Sequence, residues 1–178
     1  MTQPPTSAVD LIDQLTGLAP GSATHALRHQ RDKVVAATQG SYDALFDPDL
    51  PGLSLAERLL VSLYAARLTP SPALAAHYQG RLEQLGTDAG QVRAAAGGTP
   101  ADIADPRLRA MLEFTRKLIE KPVEGDRAAL LALPAAGLST PAVVTLAQLV
   151  AFLSYQVRLL AGLDALKALN DNPAGAKA

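Results

Sequence analysis

An all-α fold follows from three features of this sequence. The first is composition: 48% of residues are hydrophobic, yet there are only three Phe, four Tyr and no Trp. Ala and Leu make up the bulk, and they head the helix scale, whereas strands favour branched and aromatic residues. The second is periodicity, because apolar residues recur at helical spacing and no segment sustains an alternation of period two. The third is punctuation, since the periodic stretches begin at Ser, Thr or Asp and stop at Gly or Pro. A chain of 178 residues suits one domain with a substantial core.

The elements follow in order. Residues 1–8 are polar and Pro-rich and read as a loose arm. Val9, Leu11, Ile12 and Leu15 make a short amphipathic segment that stops near Gly17–Pro20. Ser22 reads as the N-cap of a helix running toward Thr38. Gln39–Phe46 continues it, with Tyr42, Leu45 and Phe46 as anchors, and Asp47–Gly52 is a turn-rich break. Ser54-Leu55-Ala56-Glu57 is a capping box, in which the hydroxyl and the carboxylate each take a free backbone N–H. The helix it opens carries Leu55, Leu59, Leu60, Leu63 and Leu68.

Ser71 reads as the next N-cap with Pro72 at the first helical position. Leu74, Tyr78, Leu82 and Leu85 then form one stripe. Gly86 ends that helix and Thr87 caps a short one reaching about Ala96. After the Gly97–Pro100 loop, Asp105-Pro106 starts a helix that turns Leu108, Met111, Leu112, Thr115, Leu118 and Ile119 inward and stops at Pro122. A short helix covers roughly residues 126–133, followed by a turn at Pro134–Gly137. Ser139 caps a last long helix to about Leu169, apolar nearly all round as a buried central helix is, and the tail 170–178 is expected to fray. Leu85-Gly86-Thr87 and Ala136-Gly137-Leu138-Ser139 echo one another, as a weak duplication or as the common grammar of helix, Gly, cap, helix.

Several function classes are disfavoured. Sixteen basic against 17 acidic residues give a net charge of −1, so no excess of cation exists to neutralise phosphates and nucleic acid is not an expected partner. Zero Cys excludes disulfides, thiolate metal sites and thiol nucleophiles. The first residues lack a basic start followed by an apolar run. The most apolar stretch, Pro141–Leu153, is shorter than the roughly 20 residues that span a bilayer. The expectation is a cytoplasmic protein without a membrane partner.

Few residues suggest chemistry. His25 and His29 are four apart, a spacing that lets two imidazoles share a metal. No HExxH and no carboxylate cluster accompanies them, and Arg28 and Arg31 repel cations, so a solvated polar face is the favoured reading and no metal or cofactor is expected. Glu57 as a general base competes with Glu57 as a capping residue, and Ser71 as a nucleophile competes with Ser71 as a cap; the structural role is favoured in both. Tyr78 shares a face with Ser71 and Leu74 and reads as a packed aromatic whose hydroxyl finds a partner, with His77 one step round. On the last helix Gln148, Ala151, Tyr155, Arg158 and Gly162 fall within about 80° of one another. Tyr155 and Arg158 are therefore candidate binding residues, for a carboxylate of the same chain, a subunit contact or a ligand anion.

Two stretches carry a resemblance. One is Leu53-Ser54-Leu55-Ala56-Glu57-Arg58 with the helix pair to Leu85-Gly86. The other runs from Asp105-Pro106-Arg107-Leu108-Arg109-Ala110-Met111-Leu112-Glu113-Phe114 through Ala136-Gly137-Leu138-Ser139 to Phe152-Leu153-Ser154-Tyr155-Gln156-Val157-Arg158. Together they resemble the carboxymuconolactone decarboxylase (CMD) superfamily, on its alkylhydroperoxidase D-like (AhpD-like), peroxidase-related branch, over roughly residues 53–166. Gly40-Ser41-Tyr42-Asp43-Ala44-Leu45-Phe46 is similar to a cysteine-free CMD domain subgroup.

The resemblance implies a bundle of helical hairpins that assembles into homo-oligomers. In its peroxidase members a Glu, a Cys-x-x-Cys pair and a His make a reactive thiolate. Those positions fall here on Leu59, on Ser71 and Leu74, and on Tyr78. All four depart, which puts peroxidase chemistry by that mechanism out of reach, and no acid–base pair for decarboxylation stands in for it. Three functions compete. The first is a non-redox family member, structural or partnering an active paralogue. The second is a lyase or isomerase on a small acid, using Tyr78, His77 and Arg158. The third is a small-molecule binder with an apolar pocket between helices.

Overall fold

The computed structural model describes residues 10–171. Among them the chain forms nine α-helices, two short 3-10 turns and no strand, so the all-α expectation holds. Two compact units are present, residues 10–43 with 158–171, and Ala44–Val157. The expected loose arm, together with Val9 and residues 172–178, lies outside the described residues.

The first unit starts with α1, Leu11–Thr16. Asp10 caps it by accepting from the Asp13 N–H at 3.0 Å, and Gly17 closes it at φ 60°, a conformation that costs a residue with a Cβ about 1 kcal/mol. Ser22 caps α2, Ala23–His29, but the helix expected to run on to Thr38 breaks at Gln30, and α3 restarts as Asp32–Leu45. Neither Gly nor Pro marks the break. Arg28 is tied to Asp10 and Asp13 across the α1–α2 turn, a tertiary restraint that helix propensity does not register. Leu11 and Ile12 bury the inner face, and Lys167 and Asn170 reach the backbone of Thr16 and the hydroxyl of Thr24.

The second unit is built around α4, Leu55–Leu68, in which every residue from Arg58 to Ala66 is buried. It packs against α5 (Pro72–Gln84), α6 (Ala89–Gly97) and α7 (Pro106–Glu120). The short α8 (Arg127–Ala135) and the front of α9 (Thr140–Asp171) complete the helix set. Burial of each Leu along α4 contributes about 1.5–3 kcal/mol. The capping box at Ser54 and Glu57 is present in both directions, with Ser54 N–H donating to Glu57 Oε2 at 2.6 Å. The other oxygen of Glu57 accepts from Arg107 Nε at 2.7 Å. The same guanidinium donates to the carbonyls of Gly137 at 2.8 Å and Gly52 at 2.7 Å. One side chain thus ties together the starts of α4 and α7, the loop before α4 and the turn before α9. Gly52 sits at φ 92°, and a Cβ there would come within 3.3 Å of the Ala142 backbone, so the loop passes α9 at a point only glycine fits.

Four further expectations are corrected. Asp88, not Thr87, caps α6, because its carboxylate reaches the Gln91 N–H while the Thr87 hydroxyl is buried without a partner. Leu85 leaves the buried stripe and is 47% exposed, since it ends α5 next to Gly86. Helix α9 continues through Asn170 to Asp171. It is also less buried than its composition suggests: only 39% of its most apolar window is covered, and Val144 and Tyr155 lie exposed. By length and composition this 32-residue helix could cross a membrane, because the apolar run extends well past Leu153. A core helix passes the same test.

Replacing Arg107 with Met is expected to lower the unfolding free energy by about 1–2 kcal/mol, the worth of lost charge-assisted hydrogen bonds whose exposed carbonyl partners take water instead. Arg107→Lys should not rescue it, because an ammonium cannot serve three directions of a planar fork. Urea unfolding curves of the three proteins check this.

Candidate functional site

The positions marked by the resemblance sit on the α4–α5 hairpin. Leu59 lies near the start of the buried run of α4 at 1% exposure. Ser71, Leu74, His77 and Tyr78 all belong to the start of α5, with Ser71 at its N-cap and Pro72 at the first helical position as expected. Leu74 and Tyr78 are fully buried. The Tyr78 hydroxyl donates to Gln156 Oε1 on α9 at 2.6 Å, and its ring meets Phe46 at 5.4 Å between centroids. The expected packed aromatic with a satisfied hydroxyl is therefore what stands there.

Ser71 differs from the expectation in one respect. It occupies the cap position, but its hydroxyl makes no capping hydrogen bond. Its backbone N–H instead donates to the Ala66 carbonyl at 3.2 Å and closes the α4–α5 turn. The side chain lines a cavity of about 210 Å³ whose walls include Leu63, Ala66, Pro70, Ala75 and Ala96, with Arg67 and Gln79 at its polar edge. Pockets for drug-sized ligands run from about 300 Å³ upward, so this one suits only a small guest. A larger depression of about 490 Å³ lies by α6 and the loop before α7. Two of its carboxylates, Asp88 and Asp105, are already spent as helix caps, and it gathers none of the residues marked from the sequence.

His77 lies edge-on to the Tyr78 ring at 5.2 Å. Burial, reinforced by the Arg81 guanidinium, pushes its pKa down to about 4, so it is neutral at physiological pH. Arg81 lies 5.2 Å over the Phe46 ring, a cation–π contact. Arg58, absent from the sequence-derived candidates, is fully buried beneath this hairpin. It donates to the Leu45 carbonyl at 2.7 Å and the Ser54 carbonyl at 3.3 Å, while Nη2 has no partner. Burial lowers its pKa, opposed by the nearby Asp47 carboxylate. Its position in the Glu57-Arg58 pair, amid apolar neighbours, was the only local hint of burial.

The remaining candidates are elsewhere. Gln148, Ala151, Tyr155, Arg158 and Gly162 form one stripe as expected, and all five are exposed on the chain. His25 and His29 lie in the other unit. The expectation that no carboxylate accompanies them is corrected: Asp13 of α1 comes within reach of both imidazoles. Glu57 is the capping residue and the Arg107 partner already described, which leaves neither oxygen available as a base. No protein-family model matches this chain, and no curated protein matches it.

The depressed pKa of His77 has a consequence for stability. A folded-state value near 4, below the ordinary 6.5, means that the unfolded chain takes up a proton there which the folded chain refuses. The contribution is fully present above about pH 6.5 and is lost as pH falls toward 4. His77→Gln should flatten the fall of melting temperature across that window, measured by circular dichroism from pH 7 to pH 4, relative to the parent chain.

Proposed function

We propose that this chain is a non-redox, homo-oligomeric relative of the CMD superfamily, an AhpD-like helical protein whose dithiol site has become core. The observation that carries the reading is the pair of Leu59 and Leu74 with Tyr78, three residues at 1%, 0% and 0% exposure where the resemblance calls for a Glu, a Cys and a His. Each change replaces a group that needs water or a charge partner with one that gains from burial. Ser71 keeps a hydroxyl at the mouth of the slot, but an alcohol with no base beside it is a poor nucleophile. We read α9 as a core helix of a cytoplasmic protein, since Leu146, Leu149 and Leu153 are buried on one face while Gln148, Tyr155 and Arg158 mark the other. An active family paralogue is the natural partner on this reading.

A small-molecule binder is the second reading, favoured by the apolar cavity beside Ser71. A lyase or isomerase is disfavoured. Tyr78 is engaged with Gln156, and His77 is too weak a base for proton abstraction near neutrality.

The purified chain, given an organic hydroperoxide and a dithiol reductant, should show no turnover, and should sediment as a homo-oligomer. Installing the family's groups through Leu59→Glu, Ser71→Cys, Leu74→Cys and Tyr78→His should create dithiol-dependent peroxide reduction. Turnover by the parent chain would refute the non-redox reading. A folded four-site variant that stays inert, or a monomeric parent, would count against the kinship.

A further inference from the structure

The most concentrated set of metal-type donors among the described residues is outside the α4–α5 hairpin. His25 and His29 project from successive turns of α2 with their rings stacked, centroids 4.0 Å apart and planes inclined by 19°. Both Nε2 atoms face a single oxygen of Asp13, Oδ2, at 3.7 Å from His25 and 2.7 Å from His29. The three donor atoms all lie within 4.8 Å of one another.

The other oxygen of Asp13 is engaged. Arg28 Nη1 holds Oδ1 at 2.6 Å, and Nη2 of the same guanidinium holds Asp10 at 3.0 Å. That side chain is only 5% exposed, so the arrangement is built into the turn between α1 and α2. It fixes the carboxylate with Oδ2 toward the imidazoles, as the outer-shell partners of metal ligands do. Asp10 and Asp13 outweigh Arg28 by one negative unit, and because Arg28 Nη1 also lies 3.4 Å from His29 Nε2, an incoming ion has to displace that contact. Arg31, the other cation nearby in sequence, is exposed.

We propose that Asp13, His25 and His29 form a binding site for a divalent transition-metal ion of the zinc class. Two imidazoles and a carboxylate suit borderline ions such as Zn²⁺, Co²⁺ or Ni²⁺. Bonds of about 2.0–2.1 Å in tetrahedral geometry place donor atoms about 3.3 Å apart, between the two separations found here. To complete the site the stacked rings must tilt so that both Nε2 lone pairs converge on the ion. The two histidines are 22% and 33% exposed, so the remaining coordination position opens to water. The ion would cross-link α1 to α2. This inference is independent of the proposed kinship, which concerns the other unit.

The test is a titration of the tag-free full chain with Co²⁺, read by visible ligand-field absorption and by melting temperature. Saturation at one ion per chain, displacement by Zn²⁺ and a rise in melting temperature are expected. His25→Gln and His29→Gln should each weaken binding at least tenfold, and the double variant should lose both the absorption bands and the thermal shift. Asp13→Asn should weaken it similarly; because that change also loosens α1, the two exposed histidine variants, with helical content checked by circular dichroism, decide the matter. Absence of saturable binding by the parent chain would overturn the proposal, as would undiminished affinity in the double histidine variant.

Discussion

Tyr78 and Gln156 are polar side chains held at 0% and 1% exposure, and the 2.6 Å bond between them joins α5 to α9 inside the second unit. A buried phenol or carboxamide left without a partner costs about 1–3 kcal/mol, so each residue constrains the other. The bond anchors α5 at Tyr78, one turn after Leu74. Leu59, Leu74 and Tyr78 are closed to solvent, and a small cavity lies beside Ser71. The chemistry available to the hairpin follows from that closure. A nucleophile there would need a charged or titratable neighbour, and the nearest imidazole, His77, is held neutral by burial and Arg81.

A second constraint acts at the start of α4. Glu57 is both cap and ion-pair partner, and Arg107 extends the tie to Gly52 and Gly137. Arg58, one residue further on, anchors the Leu45 carbonyl from a fully buried position. The two neighbours share little beyond their place in the sequence. One is a partly exposed clamp on loops and the other a charge buried under the hairpin with one donor unused. Charged residues in this chain thus serve mainly to hold helix starts together.

The sequence was most legible where causes are local. The capping box at Ser54 and Glu57 needs three residues of context, and the Pro72 and Pro106 starts need two. Tyr78 could be read as packed because its spacing from Leu74 and Leu82 placed it on a buried stripe. What escaped depends on distance. Arg107 meets its partners 50, 30 and 55 residues away, and no local pattern marks it. Asp13 joins His29 across 16 residues and the turn between α1 and α2, so the histidine pair read as solvated. The exposed face of α9 was hidden by its alanines, which are compatible with core and surface alike.

Whether the former slot holds the fold or serves as a site comes down to the coupling between Tyr78 and Gln156. A double-mutant cycle with Tyr78→Phe, Gln156→Leu and both together, followed by chemical unfolding, measures it directly. If the pair is structural, each single change destabilises, and the double variant recovers about 1 kcal/mol or more relative to the sum. Additive effects, or a neutral Tyr78→Phe, would contradict the account and leave the phenol free for another role.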